Sequence, residues 1–379
     1  MSTSGTRVAS RRPGRPSRRR AQTTADARLV VQAWFGTRLV IFFIAAWVMV
    51  YDHRSASDVF GNWDVVHYLG IAANGYAEAN SIAFFPGWPL LVRLAATTGV
   101  PALVVGILLA LVASGFATAA LYRLGGAPAA IAWLLAPTAV FTVVPYTEAV
   151  FCAAAFWAWE RATAKQWGAA AVLAAVAASV RVSGVFLIAA LAVLALTQAG
   201  AVRDRGRRLL WLAIPVAVVA AYLGYLYVVT GSWTAWLDAQ EAGWARGFAW
   251  PWESLKHTLA VLEPGAYADH PEWHWVFLAE IISMAVGLLV TIVCLVRRRW
   301  GEATWVGLQV VAFGTSYWFM SVNRAVLLWF PLWTELGRLV PTKGRPPAWR
   351  AALIGVVVVV ALVVQAAWAW LFYTGRWAS

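Results

Sequence analysis

Charge is what this sequence of 379 residues has least of: Asp, Glu, Lys and Arg make up 12% of it, about half the share of an ordinary soluble domain. So few charged groups cannot coat a water-facing globule of this length, which excludes a single soluble domain. Cysteine is also scarce. The two present, Cys152 and Cys294, lie inside separate apolar runs, which excludes a disulfide-stapled scaffold and any Cys/His metal cluster. There is no P-loop, no dinucleotide glycine fingerprint and no GxSxG elbow. A cytosolic nucleotide donor is therefore not indicated. Acidic residues are the rarer sign, 17 against 30 Lys and Arg. That excess suggests nucleic-acid binding until it is mapped along the chain, where it becomes a topology signal.

What the sequence has in abundance is apolar length, with 61% hydrophobic residues and 25 Trp. A bilayer crossing takes about 20 apolar residues, and Trp favours the membrane–water interface. Runs fall near 34–51, 102–122, 127–144, 147–160, 167–180, 183–200, 209–229, 274–296, 302–320, 324–340 and 351–373. The expected fold is thus an all-α polytopic membrane protein with about eleven transmembrane helices. The runs 147–160 and 167–180 are short for a crossing and read as untilted or broken helices. The stretch 83–98, with Pro86 and Pro89, reads as an interfacial or re-entrant helix of the first outward loop.

Residues 1–28 carry Arg11, Arg12, Arg15, Arg18, Arg19 and Arg20 without apolar periodicity. They read as a disordered basic cytoplasmic tail touching anionic lipid, with no nucleic-acid partner. Residues 1–33 are assigned to this tail, 34–373 to one transmembrane domain and 374–379 to a short outward tail. A basic stretch before an apolar run also describes a signal peptide, but the later charges make sense only if the first run is kept as a span. With the N-terminus inside, the tail, Arg38, Arg123, Arg161, Lys165, the arginines of 203–208, Arg297 to Arg299 and the basic residues of 338–350 all fall on the inner side. They account for 23 of the 30 Lys and Arg, and 12 of the 17 acidic residues fall outside or near the outer ends of the runs. This is the positive-inside pattern. Two outward loops, 52–101 and 231–273, are long, and long loops concentrate function.

The polar residues gather at those loops. Asp64, His67 and Tyr68 share one face if 63–73 is helical. A carboxylate and an imidazole so placed either do acid–base work or hold a phosphate, or Asp64 simply caps the helix. The phrase Ala83-Phe84-Phe85-Pro86-Gly87-Trp88-Pro89 is an interface anchor or a wall that shields a reaction from water. Glu148 follows Pro145-Tyr146-Thr147 at the outer start of a short run, where a carboxylate needs a partner. Arg181 and Arg324 stand outward against the charge bias, either in ion pairs, such as Arg181 with Glu148, or binding an anion. Gln240, Trp244 and Arg246 combine amide, ring and guanidinium, a set suited to sugar and phosphate or to anchoring the loop at the interface.

These phrases together resemble a known family. The run Trp63-Asp64-x-x-His67-Tyr68-Leu69-x-Ile71-Ala72-x-x-Gly75-Tyr76 and the segment Ala83-Phe84-Phe85-Pro86-Gly87-x-Pro89 are similar to the PIG-V mannosyltransferases. So, in order, are Pro145-Tyr146-Thr147-Glu148, Arg181-Val182-Ser183-Gly184, Gln240-x-x-x-Trp244-x-Arg246 with Pro251-Trp252, and Asn323-Arg324 with Phe330-Pro331. One departure is Asn323-Arg324-Ala325, where the pattern has Pro-Arg-Tyr. Short loops and richness in Ala, Arg and Trp are closer to an actinobacterial member.

The resemblance implies a GT-C fold and inverting transfer of mannose from a polyprenyl-phosphate carrier to a lipid or cell-envelope acceptor on the extracytoplasmic face of the cell membrane. It implies that Asp64 is the catalytic base. Arg246, Arg324, Arg181 and His67 would stabilise the departing phosphate. Glu148, Tyr146, Gln240, Trp244, Trp63 and Tyr68 would hold sugar or acceptor. No cofactor is expected, and no metal is required if guanidinium groups neutralise the phosphate. Two other classes stay open: a transporter or flippase for an anionic glycolipid, and a non-catalytic scaffold. A scaffold would leave Asp64, Arg246 and Arg324 far apart.

Overall fold

The computed structural model describes residues 18–340 and 347–378, with the side chains of residues 18–23 and Ala79 left out. Most of the basic tail, with Arg11, Arg12 and Arg15, lies outside the described residues. Helix α1 (Arg18–Tyr51) starts inside the stretch expected to be a disordered tail. After it come α2 (Ala56–Phe60), α3 (Asp64–Asn74), a 3₁₀ turn (Ala79–Ala83) and α4 (Gly87–Ala96). The chain continues through α5 (Ala102–Leu134), α6 (Glu148–Thr163), α7 (Trp167–Val180), α8 (Ser183–Thr197), α9 (Val202–Trp211) and α10 (Ala213–Thr230). The second long loop holds α11 (Ala235–Trp244) and α12 (Pro251–Ala260). Then follow α13 (Glu272–Val296), α14 (Trp300–Gly314), α15 (Val322–Ala325), α16 (Phe330–Leu339) and α17 (Ala348–Tyr373). Among the described residues the only β pairing is one bridge between Phe248 and Ser316.

The protein is an all-helical, multi-pass membrane protein. Five of its described helical stretches are long and apolar enough to cross a bilayer unaided: Thr24–Tyr51, Ala102–Leu134, Val202–Thr230, Glu272–Val296 and Ala348–Tyr373. The other expected crossings are short or broken. α6 and α7 stay short, as their apolar runs suggested, and 83–98 forms the compact α4. The runs 127–144 and 324–340 are not single helices. The first begins at a kink, where Gly126 has φ 77°, and its helix stops at Leu134 ahead of Pro137 and Pro145. The second is cut into α15, a 3₁₀ turn (Val326–Leu328) and α16, at Trp329-Phe330-Pro331.

Irregular backbone at membrane depth is tolerated only where protein covers it. Protein covers both breaks apart from Pro137, which is exposed: residues 138–150 are buried without exception, and so are 319–325 and 327–331. Side chains satisfy the carbonyls freed there. The Gln365 amide of α17 donates to Leu134 O at 2.9 Å and Ala136 O at 3.0 Å. The indoles of Trp133 and Trp305 donate to Leu327 O and Leu328 O at 3.0 Å, and Trp88 donates to Pro145 O at 3.1 Å. Several of the Trp residues are therefore fully buried donors inside the bundle rather than interface anchors.

Arg38 corrects the charge map. It belongs to no inner loop but is buried in α1, donating to Thr37 Oγ1 at 2.9 Å and Thr142 Oγ1 at 2.8 Å. Cys152 and Cys294 are free and buried. α1 packs against both α5 and α17, so it is an integral part of the bundle. The α6 helix fixes two polar levels. Glu148 opens it and Glu160 comes twelve residues later, about 18 Å along the axis at 1.5 Å per residue.

Candidate active site

Asp64 is the first residue of α3, and its side chain does not cap the helix. It reaches instead across the bundle, where Oδ2 accepts a hydrogen bond from Arg324 Nη1 at 2.8 Å. Arg324 Nε lies 3.1 Å from Glu148 Oε1. That same carboxylate oxygen is paired with Arg181 Nη1, which also donates to Thr147 Oγ1 at 2.9 Å. The Asp64 backbone N–H donates to the Tyr146 hydroxyl at 3.1 Å, and the Arg324 guanidinium sits over the Tyr146 and Phe141 rings, 5.2 and 5.5 Å from their centres. Four distant segments thus form one network: carboxylate, guanidinium, carboxylate, guanidinium. Glu148 is completely buried, and only such pairing makes a charge there tolerable.

The network opens onto a pocket lined by Asp64, Arg181, Arg324 and Tyr146, by Trp63 and Tyr68, and by Gln240, Trp244 and Arg246 of the second long loop. Arg246 differs from the other two arginines. No carboxylate pairs with it among the described residues; its guanidinium lies 6.0 Å from the centre of the Phe313 ring. Burial, and after it the neighbouring Arg324 charge, bring its pKa down to about 10. It remains a cation at neutral pH, in a place where an incoming anion would relieve both effects. Asp64 Oδ1 likewise has no hydrogen-bond partner among the described residues, so one carboxylate oxygen is committed and the other free.

Local structure explains how these groups are aimed. Six described non-glycine residues have positive φ, and three of them, Trp63 (58°), Ala245 (50°) and Ser321 (66°), stand within three residues of Asp64, Arg246 and Arg324. Such strain persists only where the surroundings hold it. Glu280 of α13 holds the third: its buried carboxylate accepts the backbone N–H of Ser321 at 3.0 Å and of Asn323 at 2.9 Å. Asn323 is further fixed by Ser283 Oγ at 2.8 Å and Val276 O at 3.1 Å. This accounts for the departure at Asn323, since a proline there would have no N–H to give Glu280. Gly87 matters for a different reason. A Cβ on it would meet Ser179 O at 2.7 Å, so glycine lets α4 close against the end of α7, directly before Arg181.

The residues expected from the sequence fall into three groups. Asp64, Arg246, Arg324, Arg181, Tyr146, Gln240, Trp244, Trp63 and Tyr68 line the pocket. Glu148 lies behind it as the shared partner of Arg181 and Arg324. His67 does neither: its ring stacks on Phe84 at 5.0 Å and meets Trp244 edge-on at 5.8 Å, within the wall rather than at the arginines. Gln240 Nε2 is committed to Ala83 O at 3.1 Å, beside Trp236 Nε1, and so latches the second loop to the first. Sequence reasoning missed Glu280, although a lone carboxylate in the apolar run of α13 was a readable signal. It also gave the short outward tail 374–379 no part in the site. Trp377 and Ala378 line the pocket, with Trp377 edge-on to Trp63 at 5.1 Å and Trp63 Nε1 donating to Arg376 O at 3.2 Å. Among the described residues no group of three or more His, Cys, Asp or Glu is arranged to hold a metal ion.

Residues 45–126, which include Asp64, match the family described as Mannosyltransferase (PIG-V). GPI alpha-1,6-mannosyltransferase 2 of Mus musculus and of Rattus norvegicus are each 33% identical over 141 residues, covering 32% of this chain and 29% of theirs. The chain therefore spans about three-tenths of the length of these relatives. Among solved structures, ArnT from Cupriavidus metallidurans bound to undecaprenyl phosphate aligns over 91% of this chain and 69% of its own, with a TM-score of 0.50 at 16% identity, which is a likeness of fold.

Proposed function

From a segment similar to the PIG-V mannosyltransferases and a fold like that of ArnT, we propose that the chain is an inverting glycosyltransferase of GT-C type. It transfers mannose from a polyprenyl-phosphate-linked donor to a lipid or cell-envelope acceptor, on the extracytoplasmic face. The observation that carries this reading is the convergence of Asp64, Arg324, Arg181 and Arg246, from four separate segments, on one pocket. A scaffold has no use for that convergence. The GPI alpha-1,6-mannosyltransferase relatives support the sugar, and the undecaprenyl phosphate bound by ArnT supports the class of carrier.

The chemistry follows from the two free groups. Asp64 Oδ1 takes the proton of an acceptor hydroxyl while that oxygen forms a bond to the anomeric carbon from the face opposite the phosphate. The bond from anomeric carbon to phosphate oxygen breaks, and polyprenyl phosphate leaves with the electron pair. Arg246 binds the phosphate of the bound donor and stays paired with it as negative charge grows there. Arg324 orients Asp64 through Oδ2, and Glu148 holds Arg324 and Arg181 in place. Trp63, Tyr68 and Trp244 supply ring surface for the sugar and exclude water.

The test is a transfer assay in membranes containing the protein, comparing polyprenyl-phosphate-mannose with polyprenyl-phosphate-glucose and GDP-mannose, with mass analysis of the product. The reading expects a hexosylated lipid or glycan from polyprenyl-phosphate-mannose alone. Product from GDP-mannose, or movement of the lipid across the bilayer without a covalent product, would overturn it.

A further inference from the structure

Helix α12 is inside out for a helix bathed in water. Ser254 and Thr258, one turn apart, are fully buried, whereas Trp252, Leu255 and Leu259, at i, i+3 and i+7, are 65, 37 and 47% exposed. Glu253, Lys256 and Ala260 form a third strip, also exposed. At about 100° per residue the buried, apolar and polar strips lie roughly 100–150° apart around the axis. Three sectors of this kind suit a helix whose side leans on protein, whose underside meets hydrocarbon and whose top meets water. An exposed aromatic ridge leads into it. Phe248 is edge-on to Trp250 at 5.4 Å, and Trp250 stacks on Trp252 at 5.2 Å. In water this contiguous apolar surface would be a liability; at a membrane interface it is the preferred chemistry.

We propose that α12 and the Phe248–Trp250–Trp252 ridge dock into the acyl–headgroup boundary of the leaflet at the pocket end, and that this contact holds Arg246 and Arg324 in position. The occupant is the bilayer rather than a protein, because the apolar face continues a lipid-facing surface. α12 packs against α13 and α14, whose Trp275, Ile282 and Val311 are exposed on helices of the spanning bundle. Both arginines hang from α12. Arg246 comes four residues before Trp250. On the other side the helix is laced to the segment leading to Arg324: the Ala249 N–H donates to Thr315 O at 3.0 Å, His257 Nδ1 lies 2.8 Å from Tyr317 O, and the Phe319 N–H donates to Thr258 Oγ1 at 2.8 Å. A shift of α12 out of the interface would therefore move both sides of the pocket together.

The experiment uses the full chain in phosphatidylethanolamine–phosphatidylglycerol vesicles, with nitroxide labels on single cysteines at Leu255, Leu259, Glu253 and Lys256; the native thiols are buried. Collision with dissolved oxygen should dominate at 255 and 259, and collision with an aqueous nickel chelate at 253 and 256. Water exposure at all four positions would overturn the docking. The link to the pocket is read by limited trypsin digestion at Arg246. The Leu255→Glu, Leu259→Glu double variant, monodisperse in detergent, should be cut there at least tenfold faster in vesicles than the unmodified chain. Equal rates would overturn the coupling. Neither readout depends on transfer activity, so each stands or falls apart from the proposed function.

Discussion

Two networks of arginine and carboxylate stand at opposite ends of the bundle, and they are built to different ends. At the pocket end, two carboxylates and two guanidiniums alternate, all at least mostly buried, with a third arginine left unpaired beside them. At the other end, Glu335 takes Arg299 and Arg338 on Oε1 and Arg297 on Oε2, with Arg297 and Arg338 half-exposed, and Arg299 pairs with Glu302 as well. The second arrangement occupies both oxygens of Glu335 and gathers more guanidiniums than carboxylates, two of them half-exposed, as an anchor against anionic headgroups would. The first keeps a carboxylate oxygen and a guanidinium in reserve within a pocket. The same residue types therefore mean different things according to what is left unsatisfied, and that criterion separates the candidate site from structural ion pairs better than counting charges does.

Each end can be broken separately. The largest effect belongs to Arg324→Ala, which strips Asp64 of its partner and leaves Glu148 with Arg181 alone. Transfer should fall by at least about 10³-fold, and the melting midpoint in detergent should drop as well, since removing one member of a buried pair costs about 3–5 kcal/mol. Retained transfer by this variant would dissolve the distinction between the two ends. Arg246→Gln is next. It removes a cation that has no carboxylate to orphan, so stability should hold while the KM for the lipid-phosphate donor rises about 10- to 100-fold, in line with the loss of a charge-assisted contact of about 1.5–3 kcal/mol. An unchanged donor KM would move the phosphate elsewhere. Glu280→Gln keeps one acceptor for two backbone donors and should lower kcat about tenfold with little change in KM, because it loosens the strained turn that carries Arg324. A pure KM effect would make Glu280 a binding group instead. Smallest is Glu335→Gln: transfer should stay within about twofold of the unmodified chain, and a marked loss would show that the opposite end is more than an anchor.

Much of this was legible in the sequence, and the reason is local. Asp64, Arg181, Gln240, Trp244, Arg246 and Arg324 each sit in a short phrase whose residue types conflict with their apolar surroundings, and a conflict of that kind is readable without knowing the fold. Helix content was readable for the same reason, because apolar length dictates it. What stayed hidden depends on distant partners. The union of Asp64 with Arg324 spans 260 residues. The breaks at Leu134 and Trp329 exist because Gln365, Trp133 and Trp305 wait there to satisfy the freed carbonyls, and nothing in the apolar run itself shows that. His67 looked available on a helical face, but the face is filled by Phe84 and Trp244. Arg38 read as an inner-side charge because its hydroxyl partner, Thr142, lies on another element. The contacts of the outward tail were hidden because Trp63, whose indole donates to Arg376 O at 3.2 Å, belongs to the first long loop.

The central claim is that the pocket end performs transfer with Asp64 as its base. Asp64→Asn tests it most directly, because the amide keeps the size of the side chain and an oxygen for Arg324 but cannot take a proton. In membranes supplied with polyprenyl-phosphate-mannose, with the variant's melting midpoint checked alongside, the account predicts product formation lowered by about 10²- to 10⁴-fold with the fold intact. Transfer at the rate of the unmodified chain would contradict it.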